Sequence, residues 1–236
     1  MLAHQYEVWR AYQEALKAQV EILIVDDGSD APAIDVPRPA GLPPVRIWTF
    51  EKAAPGIPPW RQDAARNRAA HEAHGSWLFL SDMDHVLPTE SLSVLLGLCP
   101  PADVVYSFQR LDAPDLTPKV DAQGRLHPHP NTYAMRKDRY WKLGGYDEEY
   151  CGIYGTDGYF RRHLLETTTI AHLDDVPIVR FPREVIPDAS TPGGKEVRDK
   201  SRNNPLVQNR IAEKRANREP VKVLIVPCEQ QYPVPA

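Results

Sequence analysis

Trp77-Leu78-Phe79-Leu80-Ser81-Asp82-Met83-Asp84 is the stretch that decides the fold of this chain. The four apolar residues read as a short buried strand, and two carboxylates follow directly at its C-terminal end. In open α/β sheets, ligand sites gather beyond the carboxyl ends of strands. With positions 82 and 84 extended, both side chains share one face and converge on one hard divalent cation that can still bind phosphate oxygens. The expected chemistry is metal-assisted handling of a phosphorylated substrate.

Strands and helices alternate around this stretch. Val8, Trp9, Tyr12, Ala15 and Leu16 recur at helical spacing and predict an amphipathic helix over 3–18. Strands are predicted at 20–25, 45–50, 77–80, 104–108, 131–135 and 221–226. Further helices are predicted at 62–73, at 89–98 with Thr89 as N-cap, at 156–165 and at 206–217. The alternation implies an α/β fold, a single domain over 1–236 whose central sheet is mostly parallel and flanked by helices. Of the 24 prolines, 16 cluster at 32–59, 114–130 and 177–192, which reads as long, stiff loops on a regular scaffold. Such a domain usually opens with a strand, whereas this chain opens with a helix. Either a first strand is absent, which is the reading adopted, or 221–226 occupies a comparable edge.

Composition narrows the function classes. A net charge of −4 provides no electrostatic footprint for nucleic acid or an anionic membrane. No apolar stretch approaches the roughly 18–20 residues of a transmembrane segment, and the N-terminus lacks a secretory apolar region. Cys99, Cys151 and Cys228 are widely spaced and form no Cys-x-x-Cys pair, so reduced thiols in a cytoplasmic protein are expected.

Other residues join the acidic pair. Asp26-Asp27-Gly28-Ser29 ends the strand at 20–25, a second acidic turn that reads as a plain turn alone and as part of a shared pocket beside Asp82. Arg61 to Asn67 opens the helix that precedes the Asp82 strand, and a cation at a helix N-terminus makes an anion site. A solvated basic face is the simpler reading for Arg68 and also for Arg66. Gly144-Gly145-Tyr146-Asp147-Glu148 and Gly155-Thr156-Asp157 form a third constellation, whose glycines permit close backbone approach. Asp157 lies in a first helical turn, where a carboxylate is either merely stabilising or an ionised general base. His127-Pro128-His129-Pro130 reads as a stiff loop, and His85 and His172 as weak candidates for a further metal ligand.

In order and spacing, these pieces resemble a family 2 glycosyltransferase of the GT-A fold over residues 3–166. The resemblance implies a nucleotide-sugar-binding half at 1–110, an acceptor and catalytic half at 111–200, and a C-terminal helix and strand at 201–236. It implies that Asp27, beside Asp26, binds the donor's base, and that Arg61 contacts base or phosphate. Arg66 and Asn67 lie in the matching helix. Asp82 is implied at the ribose or the ion's shell, Asp84 as the ligand of Mn2+ or Mg2+, and Asp157 as the base of an inverting transfer. The implied donor is a UDP-sugar and the acceptor a hydroxyl of a glycan, lipid or protein. The family's usual first strand does not precede residue 1, Thr156 stands where a Glu is usual, and Tyr159 where a second acidic residue often follows.

Two rival readings stay open. One is a non-catalytic sugar-nucleotide-binding module of the same fold. The other is a haloacid-dehalogenase-type phosphatase, with Asp82 as the phosphorylated residue and Asp174-Asp175 as downstream metal ligands. That motif normally closes the first strand of its domain, whereas two strand candidates precede Asp82 here.

Overall fold

Alternating burial along the apolar runs produces a two-faced layer. On β3 (Trp77–Leu80), Trp77 and Phe79 pack against one core, while Leu78 and Leu80 sit in a second core on the opposite face. On β1 (Ile22–Asp26), Ile22 and Ile24 join the first core and Leu23 the second. The computed structural model describes residues 1–51, 61–98, 103–124, 126, 128–153, 157–182, 184–185, 205–223 and 228–231.

The remaining strands are β2 (Val45–Phe50), β4 (His85–Val86), β5 (Val105–Asp112), β6 (Thr117–Pro118), β7 (Pro128–Arg136), β8 (Ile170–Arg180) and β9 (Cys228–Gln231). The helices are α1 (Leu2–Arg10), α2 (Glu14–Lys17), α3 (Gln62–Glu72), α4 (Thr89–Gly97), α5 (Lys137–Lys142), α6 (Asp157–Thr167) and α7 (Pro205–Ala216). One sheet has the order β1-β2-β9; the other runs β3-β7-β5-β8-β4, with β6 against β5.

The α/β class holds, but the expected single, mostly parallel sheet does not. Among the described residues only β1–β2 and β5–β8 pair in parallel; the other ladders are antiparallel. The reason lies in the proline-rich segment after β5. It forms a hairpin arm through β6, not a helical crossover, so β7 returns between β3 and β5.

Several boundaries also shift. The helix expected over 3–18 breaks between Arg10 and Glu14, where Gln13 is extended and Tyr12 is drawn into the core with its hydroxyl donating to Leu87 O at 2.7 Å. Thr89 is the first helical residue and not the cap, which is Pro88. The expected strand at 221–226 is not one at 221–223, and 224–227 lie outside the described residues. The observed strand is β9, on β2. β8 is longer than any strand the sequence suggested. Its pairing with β5 jumps from Leu173 to Ile178, so Asp174-Asp175-Val176-Pro177 is accommodated as an irregularity.

The two sheets meet at β1 and β3. Glu21, just before β1, accepts the backbone amides of His74 (2.5 Å) and Gly75 (3.0 Å), just before β3. At the opposite ends, Asp27 after β1 and Asp82 after β3 both bond to the first turn of α3, through Arg61 and Gln62. The two strands therefore run side by side in the same direction, and the candidate site lies at their carboxyl ends.

Candidate functional site

Asp26 and Asp27 differ in what they touch. Asp26 is buried and closes its own turn, its two oxygens accepting Ser29 N at 2.9 Å and Ala33 N at 2.7 Å. Gly28 allows this turn by adopting φ 78°. Asp27 accepts both the amide (2.6 Å) and Nε (2.5 Å) of Arg61. Burial raises the Asp27 carboxyl despite that cation. Arg61 is itself buried, donates to Glu51 O at 2.9 Å and lies over the Phe50 ring.

Arg66 is not on a solvated face, as the plainer sequence reading had it. It is buried, and its guanidinium donates to Asp82 Oδ1 at 2.5 Å, to Asn131 O at 2.9 Å and to Tyr146 Oη at 2.8 Å. Asn67 uses its whole hydrogen-bonding capacity internally. Its Nδ2 donates to Tyr146 O and Glu148 Oε1, and its Oδ1 accepts the Tyr140 hydroxyl and Tyr146 N. It thereby pins the Gly144-Gly145-Tyr146 loop to α3. Gly145 has φ 69°, and a Cβ there would lie 2.6 Å from Asn67 Oδ1, so that glycine is required by both conformation and contact.

The acidic pair does not share a face. His85 N donates to Asp82 O at 3.2 Å, so residues 82–85 form a turn instead of extended chain. The turn sends Asp82 and Asp84 to different partners. Oδ1 of Asp82 accepts Gln62, Arg66 and Asn131 Nδ2 (2.8 Å), while Oδ2 lies 3.8 Å from His129 Nε2. Burial raises the Asp82 carboxyl against the pull of Arg66. Asp84 is buried; its Oδ1 lies 2.7 Å from His85 Nδ1 and its Oδ2 3.2 Å from Arg180 Nε. Burial pushes the Asp84 carboxyl up, but the His85 bond and Arg180 overcome it and hold it well below the usual range.

Among the described residues, one group of side chains offers convergent metal-ligand atoms: Asp82, His85 and His129, all within 4.8 Å of one another. With Nδ1 of His85 taken by Asp84, its buried Nε2 has no hydrogen-bond partner. His129 Nδ1 lies 2.8 Å from Thr132 Oγ1, which leaves its Nε2 for the Asp82 side. The two imidazole rings lie 4.0 Å apart between centroids and are tilted by 46°. Burial, aided by the charges of His85 and Arg110, pushes His129 down to about 2 and keeps it neutral, the form that ligates a metal. The stiff-loop reading of 127–130 fails for this reason: His129 lies within β7 and is buried beside Asp82.

The sequence reading set His129 aside within a stiff loop and did not single out Asn131 or Arg180. Only period-two spacing, which places His129 and Asn131 on one face of a strand, could have drawn attention to the first two. Asp157 opens α6, and its charge is felt by the Tyr133 hydroxyl two positions beyond Asn131 on β7. Gly155 and Thr156 lie outside the described residues. Asp174 and Asp175 are exposed on β8, where Asp174 pairs with His172 at 3.1 Å, and neither belongs to the Asp82 group.

No family model matches this chain, and no curated protein matches it. A solved structure does: GalNAc-T7 with UDP, GalNAc and Mn2+ is similar with a TM-score of 0.56 at 12% identity. The likeness covers 76% of this chain but 40% of that one, so the chain spans well under half the length of its structural neighbour. At this identity the likeness shows the fold: a mixed α/β domain similar to GT-A glycosyltransferases.

Proposed function

We propose that this chain is a metal-dependent glycosyltransferase, inverting and of the family 2 type. It would move a sugar from a nucleotide-sugar donor, a UDP-sugar by preference, to an acceptor hydroxyl on a glycan, lipid or protein. One observation carries the reading. The group of half-buried Asp82 with buried His85 and His129 lies at the carboxyl end of β3, in a fold shared with a structure that holds UDP and Mn2+. A compartment with reduced thiols, the cytoplasm, fits the free, half-buried Cys151.

The residues fit a resident ion. One carboxylate and two imidazoles form a mixed donor set that suits Mn2+ better than Mg2+, which favours oxygen ligands and water. His85 belongs to that group, and its Nε2 is buried without a hydrogen-bond partner. When bound, the ion would supply charge stabilisation to the departing diphosphate. Asp84 orients His85 by its hydrogen bond to Nδ1 and is a positioning residue in this reading. Arg66 and Asn131 hold Asp82 through Oδ1 and leave Oδ2 for the ion.

Asp27 faces the nucleoside from the next strand end, with Asp26, Arg61 and Asn67 acting behind it through the turn and α3. Asp157 takes the proton of the acceptor hydroxyl as its oxygen bonds to the anomeric carbon. The bond from that carbon to the phosphate oxygen breaks, and its electron pair leaves with the nucleoside diphosphate.

Donor hydrolysis and transfer with Mn2+ test this, in the wild type, Asp157→Asn and His129→Ala. Loss of transfer with retained UDP–Mn2+ binding in Asp157→Asn, and loss of that binding in His129→Ala, is the expected pattern. Binding without turnover in the wild type, across a panel of donors and acceptors, replaces the enzyme with the non-catalytic module. Unchanged UDP–Mn2+ affinity in His129→Ala removes the metal assignment.

A further inference from the structure

His129 and Thr132 are three residues apart on β7, yet His129 Nδ1 lies 2.8 Å from Thr132 Oγ1. In a regular strand, residues i and i+3 point to opposite faces and stand about 10 Å apart along the chain. This contact therefore needs a departure from strand geometry, and the ladder contains one. Tyr133 is opposite Ser107 and Pro128 opposite Gln109, so β7 advances five residues while β5 advances two. The excess at 129–132 is a bulge, a device that re-aims side chains. Its conformation is tied down from several directions. The Tyr133 hydroxyl donates to Pro130 O at 2.6 Å, Arg66 donates to Asn131 O at 2.9 Å, and Asn131 Nδ2 donates to Asp82 Oδ1 at 2.8 Å. Thr132 and His129 are both buried within it.

A neutral imidazole carries one proton, and the nitrogen that holds it has no lone pair for a metal. For His85 the choice is made by Asp84, whose carboxyl stays ionised and can only accept. His85 Nδ1 is then the donor, and its Nε2 is bare. His129 is kept neutral by burial, but its partner is a hydroxyl, which can donate or accept. The surroundings decide between the two. For a proton on Nε2, Asp82 Oδ2 is 3.8 Å away, outside hydrogen-bond range, and His85 Nε2 accepts no hydrogen bond among the described residues. For a proton on Nδ1, Thr132 Oγ1 is at 2.8 Å.

We propose that Thr132 is a positioning residue whose hydroxyl accepts the Nδ1 proton of His129 and leaves the bare Nε2 of that ring toward Asp82. The group then holds Asp82 Oδ2 and two bare Nε2 atoms with no proton among them, an arrangement that repels itself until a cation arrives. Moving the His129 proton to Nε2 would relieve the repulsion, and the bond to Thr132 opposes that move. Thr132 thus does for His129 what Asp84 does for His85. The inference rests on the metal reading above for the purpose of the bare nitrogen, but the tautomer is a property of the metal-free chain.

Nitrogen-15 NMR of the histidine rings in the metal-free chain at neutral pH reads the tautomer, with the His129 signals assigned by their loss in His129→Ala. Manganese paramagnetic resonance reads Mn2+ affinity, and neither measurement depends on activity. In the wild type, His129 is expected to carry its proton on Nδ1. In Thr132→Val, which keeps the branched shape and removes the hydroxyl, the proton should move to Nε2 and Mn2+ affinity should fall about 10–100-fold. Thr132→Ser returns the hydroxyl and should restore the Nδ1 tautomer with most of the affinity. A wild-type His129 protonated on Nε2 overturns the proposal, and this arm is decisive even where Thr132→Val does not fold. A Thr132→Val chain with the wild-type tautomer also overturns it. So do equal losses of affinity in Thr132→Val and Thr132→Ser, which make Thr132 a packing residue. A wild type that binds no Mn2+, while its His129 tautomer still follows the Thr132 hydroxyl, removes the metal reading and upholds the role of Thr132.

Discussion

His85 Nδ1 lies 2.7 Å from Asp84 Oδ1, and the other nitrogen of the same ring is buried without a partner beside Asp82 and His129. A carboxylate that fixes one side of an imidazole also fixes where its second nitrogen points. Asp84→Asn is therefore expected to weaken Mn2+ affinity by about 10–100-fold, less than His129→Ala does. Titration calorimetry or manganese paramagnetic resonance measures this. If Asp84→Asn abolishes binding as fully as Asp82→Asn, Asp84 is itself a ligand, as the sequence motif implied.

Asn67 joins α3 to the glycine loop through four internal hydrogen bonds. With each bond worth about 1 kcal/mol net, Asn67→Ala should cost roughly 2–4 kcal/mol in urea unfolding. Gly145→Ala attacks the same joint from the other side, because its φ of 69° and the 2.6 Å approach to Asn67 Oδ1 both oppose a Cβ. A cost below about 1 kcal/mol for both variants would show that the loop is anchored elsewhere.

Glu149 connects the loop after Tyr146 to α7. Hydrogen bonds from Arg210 and Lys214 pull its carboxyl from 4.5 down to about 2 against a smaller opposing effect of burial. Its folded pKa is depressed, so the contribution is complete above about pH 4.5 and is lost as pH falls toward about 2. Hydrogen exchange in α7 should therefore accelerate across that window, and Glu149→Gln should show fast exchange already at neutral pH. Equal exchange in both proteins at pH 7 would remove Glu149 from the docking of α7.

The parts of the fold legible in the sequence were those whose pattern is local. The run at 77–80 with its acidic end, and the Ala-rich α3, were read within a residue or two, because burial alternation and helix propensity act over short windows. Strand β8 was illegible because the irregularity at Asp174-Asp175 and Pro177 breaks any strand pattern, and β5 alone supplies the register that tolerates it. The site divides the same way. Asp82 announced itself by following a strand, whereas His129 became its neighbour only because β7 folds back against β3. The shared-face reading of Asp82 and Asp84 failed for a local reason: a turn at 82–85 turns residues i and i+2 apart, and nothing in Asp-Met-Asp-His signals that turn.

Arg66 and Asp82 form a part-buried charged contact at 2.5 Å, and burial already raises the Asp82 carboxyl in spite of it. Removing the cation leaves a half-buried carboxylate uncompensated, at a cost toward or below the lower end of the about 3–5 kcal/mol typical of fully buried pairs. Arg66→Met should therefore be strongly destabilising, and more so than the loss of its contacts to Asn131 O and Tyr146 Oη alone would produce. The comparison that isolates the pair is the double variant. In an Asp82→Asn background the carboxylate is gone, and Arg66→Met should cost about 1–3 kcal/mol less than in the wild type. Arg66→Lys keeps the charge but loses the planar fork that reaches Asp82, Asn131 and Tyr146 together, so it should fall between wild type and Arg66→Met. The same variants report on the metal. Without Arg66 the Asp82 carboxyl titrates higher, so Mn2+ binding in Arg66→Met should require a higher pH than in the wild type. Additive stabilities with superimposable pH profiles of Mn2+ binding would mean that Arg66 braces Tyr146 and does not govern Asp82.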